Sequence, residues 1–311
     1  MHLLVTGATG LLGINLSLVA AEVGQQVTGL ARTQELRTGA FSLIQVDLAE
    51  TGAALSMIEG VAPDAIIHCA ALADLNAAEG SPEMAQKINS EVPGELADFA
   101  SAKGIPLLHI STDAVFDGRE GSYSETDDPH PLSVYAQTKL AGERAVQEAY
   151  PDACIARVVF HGWSLSGTRS LSEFFFNELS EGRPVKGFTD TFFCPLYAED
   201  LAWILLEMLD EGLSGIYHVV SPESISKYDF GLKIAQAFGF DESLIQPVQM
   251  KSLSRGAPRS LNLTLTSAKL EGALGWPLPG IDSGIERLYR RWQDGYPETL
   301  QHYAVPSRNL I

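Results

Sequence analysis

Short apolar runs alternate with amphipathic stretches along the first half of the chain. Leu3 to Thr6, Val27 to Ala31, Leu43 to Val46, Ala65 to Cys69, Leu107 to Ser111 and Cys154 to Val159 are compact, largely apolar segments. Between them, Leu11 to Val23, Ala53 to Gly60, Met84 to Lys103 and Val134 to Tyr150 read as helices. In the first of these, Leu12, Leu16, Val19 and Ala20 recur at helical spacing. Strands covered on both faces appear as nearly continuous apolar runs. Their strict alternation with helices predicts an α/β fold, a doubly wound parallel sheet with right-handed crossovers.

The rhythm changes after about residue 160. Phe174 to Phe176 fall on a predicted helix, while Arg183-Pro184-Val185 and Phe192 to Pro195 read as irregular. Asp200 to Leu209 is a predicted amphipathic helix. Gly215 to Val220 is a further buried strand, expected to return to the main sheet. Tyr228 to Phe238 is a helix stopped by Gly239. The expected organisation is a first unit over residues 1–160, joined by strand 215–220, and a smaller interleaved α/β unit over residues 161–311.

Composition narrows the function classes. With 311 residues, 45% apolar and 19% charged, the chain suits a globular fold. Its formal charge of −18 argues against a nucleic-acid partner, whose phosphates such a surface repels. Cys69, Cys154 and Cys194 are far apart and form no CxxC pair, so reduced, buried thiols are expected. No apolar run reaches the roughly 18 residues of a membrane span. The start, Met1-His2-Leu3-Leu4-Val5-Thr6-Gly7, lacks the basic, longer apolar pattern of a signal peptide. A cytoplasmic protein without membrane contact is the expectation, and a homodimer is left open.

Glycines at 7, 10 and 13 follow the first strand directly and open the first helix. In a dinucleotide-binding turn the first glycine permits the tight bend, the second lets a pyrophosphate approach the backbone, and the third lets helix and strand pack closely. The helix then presents its N–H groups and positive dipole end to the phosphates. The first unit therefore reads as a Rossmann-like cofactor domain. At the end of the second strand stands Ala31-Arg32, not an acid. An acid would repel a ribose 2′-phosphate, and an arginine can pair with it. This favours NADP(H), with NAD(H) as the alternative. Asp47, past the third strand, either receives the adenine amino group or caps the next helix.

Tyr135 and Lys139 lie at i and i+4 on one helix face. Carbonyl reduction needs a proton donor as hydride reaches carbon, and a free tyrosine at pKa of about 10 is a reluctant one for reversible transfer. A neighbouring ammonium and a cationic nicotinamide are expected to lower that pKa. Ser111-Thr112-Asp113 ends a buried strand, at the sheet edge where ligands of open α/β sheets bind. A hydroxyl there can polarise a substrate carbonyl.

Together Thr6 to Gly13, Cys69-Ala70-Ala71, Asn89, Ser111-Thr112-Asp113 and Tyr135 to Lys139 resemble the motif set of extended short-chain dehydrogenases/reductases. Ile110 to Gly118 and Pro131 to Glu143 resemble most closely the dTDP-4-dehydrorhamnose reductase family. The resemblance implies Thr112 as the catalytic hydroxyl, Tyr135 as proton donor and Lys139 as the cofactor-holding lysine. It implies cofactor contacts at Gly7, Thr9, Gly10, Leu11, Leu12, Gly13, Arg32, Asp47, Leu48, Cys69, Ala70, Ala71 and Asn89. It also implies a nucleotide-sugar substrate reduced at a 4-keto group, with Asp113, Phe160 and Arg255 as its candidate contacts. Phe160 stands where the family has a tryptophan lining the sugar site, and Ala257-Pro258 replaces a late Arg-Pro pair. An epimerase or dehydratase on the same cofactor, or a non-catalytic regulatory subunit like that of methionine adenosyltransferase, are the other readings. A dehydratase needs an acidic pair after the catalytic hydroxyl, and here Asp113 is followed by Ala114.

The remaining polar residues carry plainer expectations. His68, His161 and His218 lack metal-ligand spacing and read as satisfied core histidines; no metal is expected. Asp190 and Glu199-Asp200 are expected to cap the helices that follow them.

Overall fold

The computed structural model describes residues 1–32, 36–250 and 260–304. The first half runs β1 (His2–Thr6), α1 (Leu11–Glu22), β2 (Gln26–Ala31), β3 (Ser42–Gln45), α2 (Thr51–Val61), β4 (Ala65–His68), α3 (Leu75–Gly80), α4 (Pro82–Gln86), α5 (Val92–Lys103), β5 (Leu107–Thr112), α6 (Val134–Ala149) and β6 (Cys154–Val158). The second half continues with β7 (Phe160–His161), α7 (Leu171–Ser180), β8 (Val185–Phe188), β9 (Phe192–Phe193), β10 (Leu196–Tyr197), α8 (Ala198–Asp210), β11 (Gly215–Val219), β12 (Ile225–Ser226), α9 (Lys227–Phe238), β13 (Ile245–Val248), α10 (Ala268–Leu274), α11 (Ile281–Gln293) and α12 (Tyr296–Tyr303).

The main sheet is ordered β11-β6-β5-β4-β1-β2-β3, with every neighbouring pair parallel. Its strands are apolar on both faces because both are covered. Leu3, Val5, Ala65, Ile67 and Leu108 face α1 and α8, whereas Leu4, Ile66 and Leu107 face α2, α5 and α6. The alternation is the two-residue period of a strand. The core on the α1–α8 side runs on without a break into the second half, through Phe175, Phe230, Ile285 and Leu300. Strand order reverses between β1 and β4, and such a switch point opens a crevice at the carboxyl ends of the strands.

Four local expectations need correction. Of the two segments read as irregular, Val185 opens β8, which pairs with β13, and Phe192-Phe193 form β9, which pairs with β12, while Arg183-Pro184 and Cys194-Pro195 carry no strand; β10 then pairs with β7. The helix expected over 84–103 is broken by a π-turn at Lys87–Glu91, ahead of Pro93. Glu199 and Asp200 do not cap α8, whose N-cap is Tyr197; they pair with Arg291 and Arg287 of α11. Asp190 accepts a hydrogen bond from the Met250 N–H, at 2.7 Å, rather than capping a helix.

The core histidines are buried but not all satisfied. Nδ1 of His68 meets the Thr6 hydroxyl at 2.8 Å, and Nε2 of His218 meets Arg157 at 3.3 Å. His161 is fully buried between Tyr197 and Phe230, and neither ring nitrogen finds a hydrogen-bond partner among the described residues. Burial holds its pKa down at about 3. The unfolded chain takes up this proton near pH 6.5 and the folded protein does not, so stability present above 6.5 is lost as pH falls below it. His161→Leu is expected to remove about 2 kcal/mol of the stability loss between pH 7 and pH 5. Urea unfolding at the two pH values checks this; parallel losses in variant and wild type would contradict it.

Candidate active site

The turn after β1 is built where side chains do not fit. Gly7 adopts φ +65°, and a Cβ there would lie 2.8 Å from the Ala70 nitrogen of the segment after β4. A Cβ on Gly13 would lie 2.1 Å from the Gly7 carbonyl oxygen. With nothing between them, β1, α1 and the end of β4 close in on one another. Gly10 caps α1 without a side chain, which leaves the first-turn N–H groups of Leu11, Leu12 and Gly13 with no capping side chain.

Beside this turn lies a cavity of about 250 Å³. Gly7, Thr9, Gly10, Arg32, Asp47, Leu48, Cys69, Ala70 and Ala71 line it, all of them cofactor contacts implied by the sequence. Leu30, Ala31, Val46, Leu72, Met84, Ile88 and Arg169 line it too and were not foreseen. Asp47 makes a local turn, accepting from the Ala49 N–H at 2.9 Å, while Glu50 is the N-cap of α2. Asp47 therefore stays on the cavity wall rather than capping the helix. Leu11, Leu12 and Gly13 lie on α1 and do not line the cavity. Neither does Asn89, which sits in the π-turn with its amide clamped to both backbone groups of Leu72 and to the Thr138 hydroxyl. Asn89 thus fixes a wall residue through its backbone.

At the end of β5 the predicted catalytic side chains come together. The Thr112 hydroxyl is close enough to the Tyr135 phenol to lower its pKa. Thr112 also donates to Asp113 Oδ1 at 3.0 Å and accepts from the Ala114 N–H at 3.2 Å. Ser133 caps α6 by accepting from the Ala136 N–H, which fixes where the helix carrying Tyr135 begins. Lys139 is buried, and its ammonium donates to the Ile110 carbonyl at 2.7 Å and contacts His109 Nε2 at 3.3 Å.

That orientation corrects the expected tuning of the phenol. Burial pushes the Tyr135 pKa up to about 12, against the lowering effect of the Thr112 hydroxyl, and the Asp113 charge adds to the rise. The Lys139 ammonium is turned toward the β5 backbone and does not lower it. Lys139 itself is brought down to about 8 by burial, with Glu143 acting in the other direction. Its charge reaches Cys69 on the cavity wall, where it offsets part of the burial that raises that thiol to about 12. Asp113 is raised to about 6, chiefly by burial, while the Thr112 hydrogen bond and the Lys227 charge pull it down.

A second cavity, of about 270 Å³, is lined by Leu75, Ala114, Leu132, Ser133, Lys227, Met250, Ser260 and Leu263; Thr112, Tyr135 and Lys139 themselves line neither cavity. Lys227 was not foreseen, although a cation in the first turn of a helix opposes the dipole and was a readable signal. Phe160 lines neither cavity; it packs half-buried against the main core. Arg255 lies outside the described residues, as do Ala257, Pro258 and Arg259.

Residues 1–293 match the family described as the RmlD substrate binding domain. The chain belongs to this family. Among its relatives, a probable low-salt glycan biosynthesis reductase, Agl14, of Haloferax volcanii is 36% identical over 94% of this chain and 99% of that protein. A dTDP-4-dehydrorhamnose reductase of Mycobacterium tuberculosis is 32% identical over 99% of this chain and 94% of that one. A solved dTDP-4-dehydrorhamnose reductase from Bacillus anthracis, in complex with NADP, superposes with a TM-score of 0.81 at 23% identity. The match covers 93% of this chain and 98% of that structure, and it shows the shared fold.

In this RmlD-type fold, α6 is anchored from beneath. Glu143, one turn beyond Lys139, forms a buried salt bridge with Arg157 of β6 at 2.8 Å and accepts from the Ser111 hydroxyl. Arg157 also stacks on Phe116. Removing one partner of a buried pair strands the other charge, at a cost of about 3–5 kcal/mol. Arg157→Met is expected to lower unfolding stability by that amount, read from urea midpoints; a loss below about 1 kcal/mol would show that the pair does not hold the helix.

Proposed function

We propose that the chain is an NADP(H)-dependent reductase of a keto group on a nucleotide sugar, a dTDP-4-keto sugar by its kinship. The observation that carries this reading is a glycine-walled cavity at the switch point of the sheet, with Thr112 and Tyr135 close together at the end of β5 and a second cavity holding a lysine beside their neighbours Ala114 and Ser133. The first cavity suits a dinucleotide. Its turn has glycine at 7, 10 and 13, α1 offers uncapped N–H groups, and Arg32 stands at the end of β2 where a 2′-phosphate would need a cation. The reductases named among the relatives, and the NADP complex of a structural neighbour, support the same cofactor.

The bound cofactor supplies the hydride that goes to the carbonyl carbon. The chain supplies the rest. Thr112 and Tyr135 hold the carbonyl oxygen, and the Tyr135 O–H gives its proton to that oxygen as the alkoxide forms. A phenol raised to about 12 is protonated at neutral pH, the state reduction requires. Lys139 would hold the nicotinamide ribose hydroxyls, and the charge of the oxidised ring favours the phenolate left behind. Lys227, beside Asp113, provides a cation for an anionic nucleotide in the second cavity.

Tyr135→Phe tests the assignment. Turnover of NADPH with a dTDP-4-keto-6-deoxy sugar is expected to fall about 10²- to 10⁴-fold, the usual contribution of a positioned general acid. NADPH affinity, read by fluorescence titration, is expected to stay as in the wild type. Undiminished turnover in the variant would contradict the proton-donor role. Conversion of the sugar by the wild type without net NADPH consumption would point to an epimerase instead.

A further inference from the structure

The dinucleotide cavity borrows one wall residue from the second half of the chain. Arg169 lines it together with Arg32, and Asp47 is the acidic residue among the lining residues. In a protein of net charge −18 this is a local excess of cations. Arg169 enters no salt bridge among the described residues. It also sits just ahead of Ser170, the N-cap of α7, where a positive charge opposes the helix dipole. An anion in the cavity would offset that cost at the side chain, since the Glu173 carboxylate is engaged by backbone N–H groups of the loop.

The loop that carries Arg169 is held rigidly. Glu173 is fully buried and forms a capping box with Ser170. Its carboxylate also accepts from the Arg169 N–H at 2.7 Å and from the Ser164 N–H and hydroxyl. Asn177 fixes the Gly167 carbonyl at 2.7 Å. The loop is tied to the start of α1 as well. Asn15 donates to the Trp163 carbonyl at 3.0 Å and to the Leu11 carbonyl at 2.7 Å. Arg169 is thereby presented beside the uncapped first turn of α1, where the phosphates of a dinucleotide belong.

We propose that Arg169 is a cofactor-binding residue that pairs with the diphosphate bridge of the dinucleotide, leaving Arg32 for the ribose 2′-phosphate. The proposal rests on the cofactor reading above. It makes the diphosphate a strut between the two halves of the chain, because one set of donors comes from α1 and the other from the loop ahead of α7.

The test compares NADPH, NADH and ADP binding, by fluorescence or calorimetric titration, in the wild type, Arg169→Ala, Arg169→Lys and Arg32→Ala. Arg169→Ala is expected to raise the Kd of all three ligands about tenfold, the worth of one charge-assisted hydrogen bond. Arg169→Lys is expected to fall between, and the unliganded melting temperature to stay unchanged because the side chain is exposed. Arg32→Ala is expected to weaken NADPH alone. Unchanged affinities in Arg169→Ala, or a loss confined to NADPH, would overturn the diphosphate assignment and leave the reductase reading standing. A wild type that binds neither NADPH nor NADH would overturn the cofactor reading, and this proposal with it.

Discussion

At Gly7 three stretches of chain approach one another too closely for any side chain to stand between them. The turn leaving β1 takes a left-handed backbone, the first turn of α1 presses against the Gly7 carbonyl through Gly13, and the strand end at Ala70 closes the third side. This contact brings the amide-rich end of α1 to the switch point of the sheet, and it leaves open space where a side chain would otherwise stand. Thr112 and the neighbouring Tyr135 sit two strands away, at the end of β5.

A protein this acidic binds an anionic cofactor only by concentrating its few cations. Arg32 and Arg169 flank the first cavity and Lys227 faces the second, while most other described arginines are spent in salt bridges such as Arg157–Glu143, Arg287–Asp200 and Arg291–Glu199. The buried Glu143–Arg157 pair has a different part. It ties α6, which carries Tyr135 and Lys139, to β6 through Arg157 and to β5 through Ser111. The lysine is then held by the Ile110 carbonyl, a short-range contact that decides which way its charge points.

Much of this was legible in the sequence because periodicity and glycine spacing are local signals. The six strands of the first half, the returning strand at 215–219 and the cavity-lining Gly7, Gly10, Cys69, Ala70 and Ala71 follow from them. Strands of two residues, such as β9 and β10, carry no period and read as loops. The π-turn holding Asn89 adds one residue to a helical turn without changing its hydrophobic pattern. The tuning of Tyr135 was misjudged because i, i+4 spacing places Lys139 on the same face but does not say where its ammonium bonds. Arg169 and Lys227 were missed because each reaches its cavity from a segment remote in sequence, though both oppose a helix dipole and Ser170 to Glu173 spells a capping box.

The central claim is that the bare turn at 7–13 is the seat of the dinucleotide, and the most direct measurement places a side chain in it without breaking the fold. Gly10 has φ −74°, open to any residue, and a Cβ there would sit 3.1 Å from the Gly7 carbonyl. Gly10→Val is expected to keep the wild-type circular dichroism, with a melting temperature lowered by the tight Cβ contact and the poorer N-cap, while raising the NADPH Kd by about tenfold or more. A folded Gly10→Val protein that binds NADPH as tightly as the wild type would contradict the account.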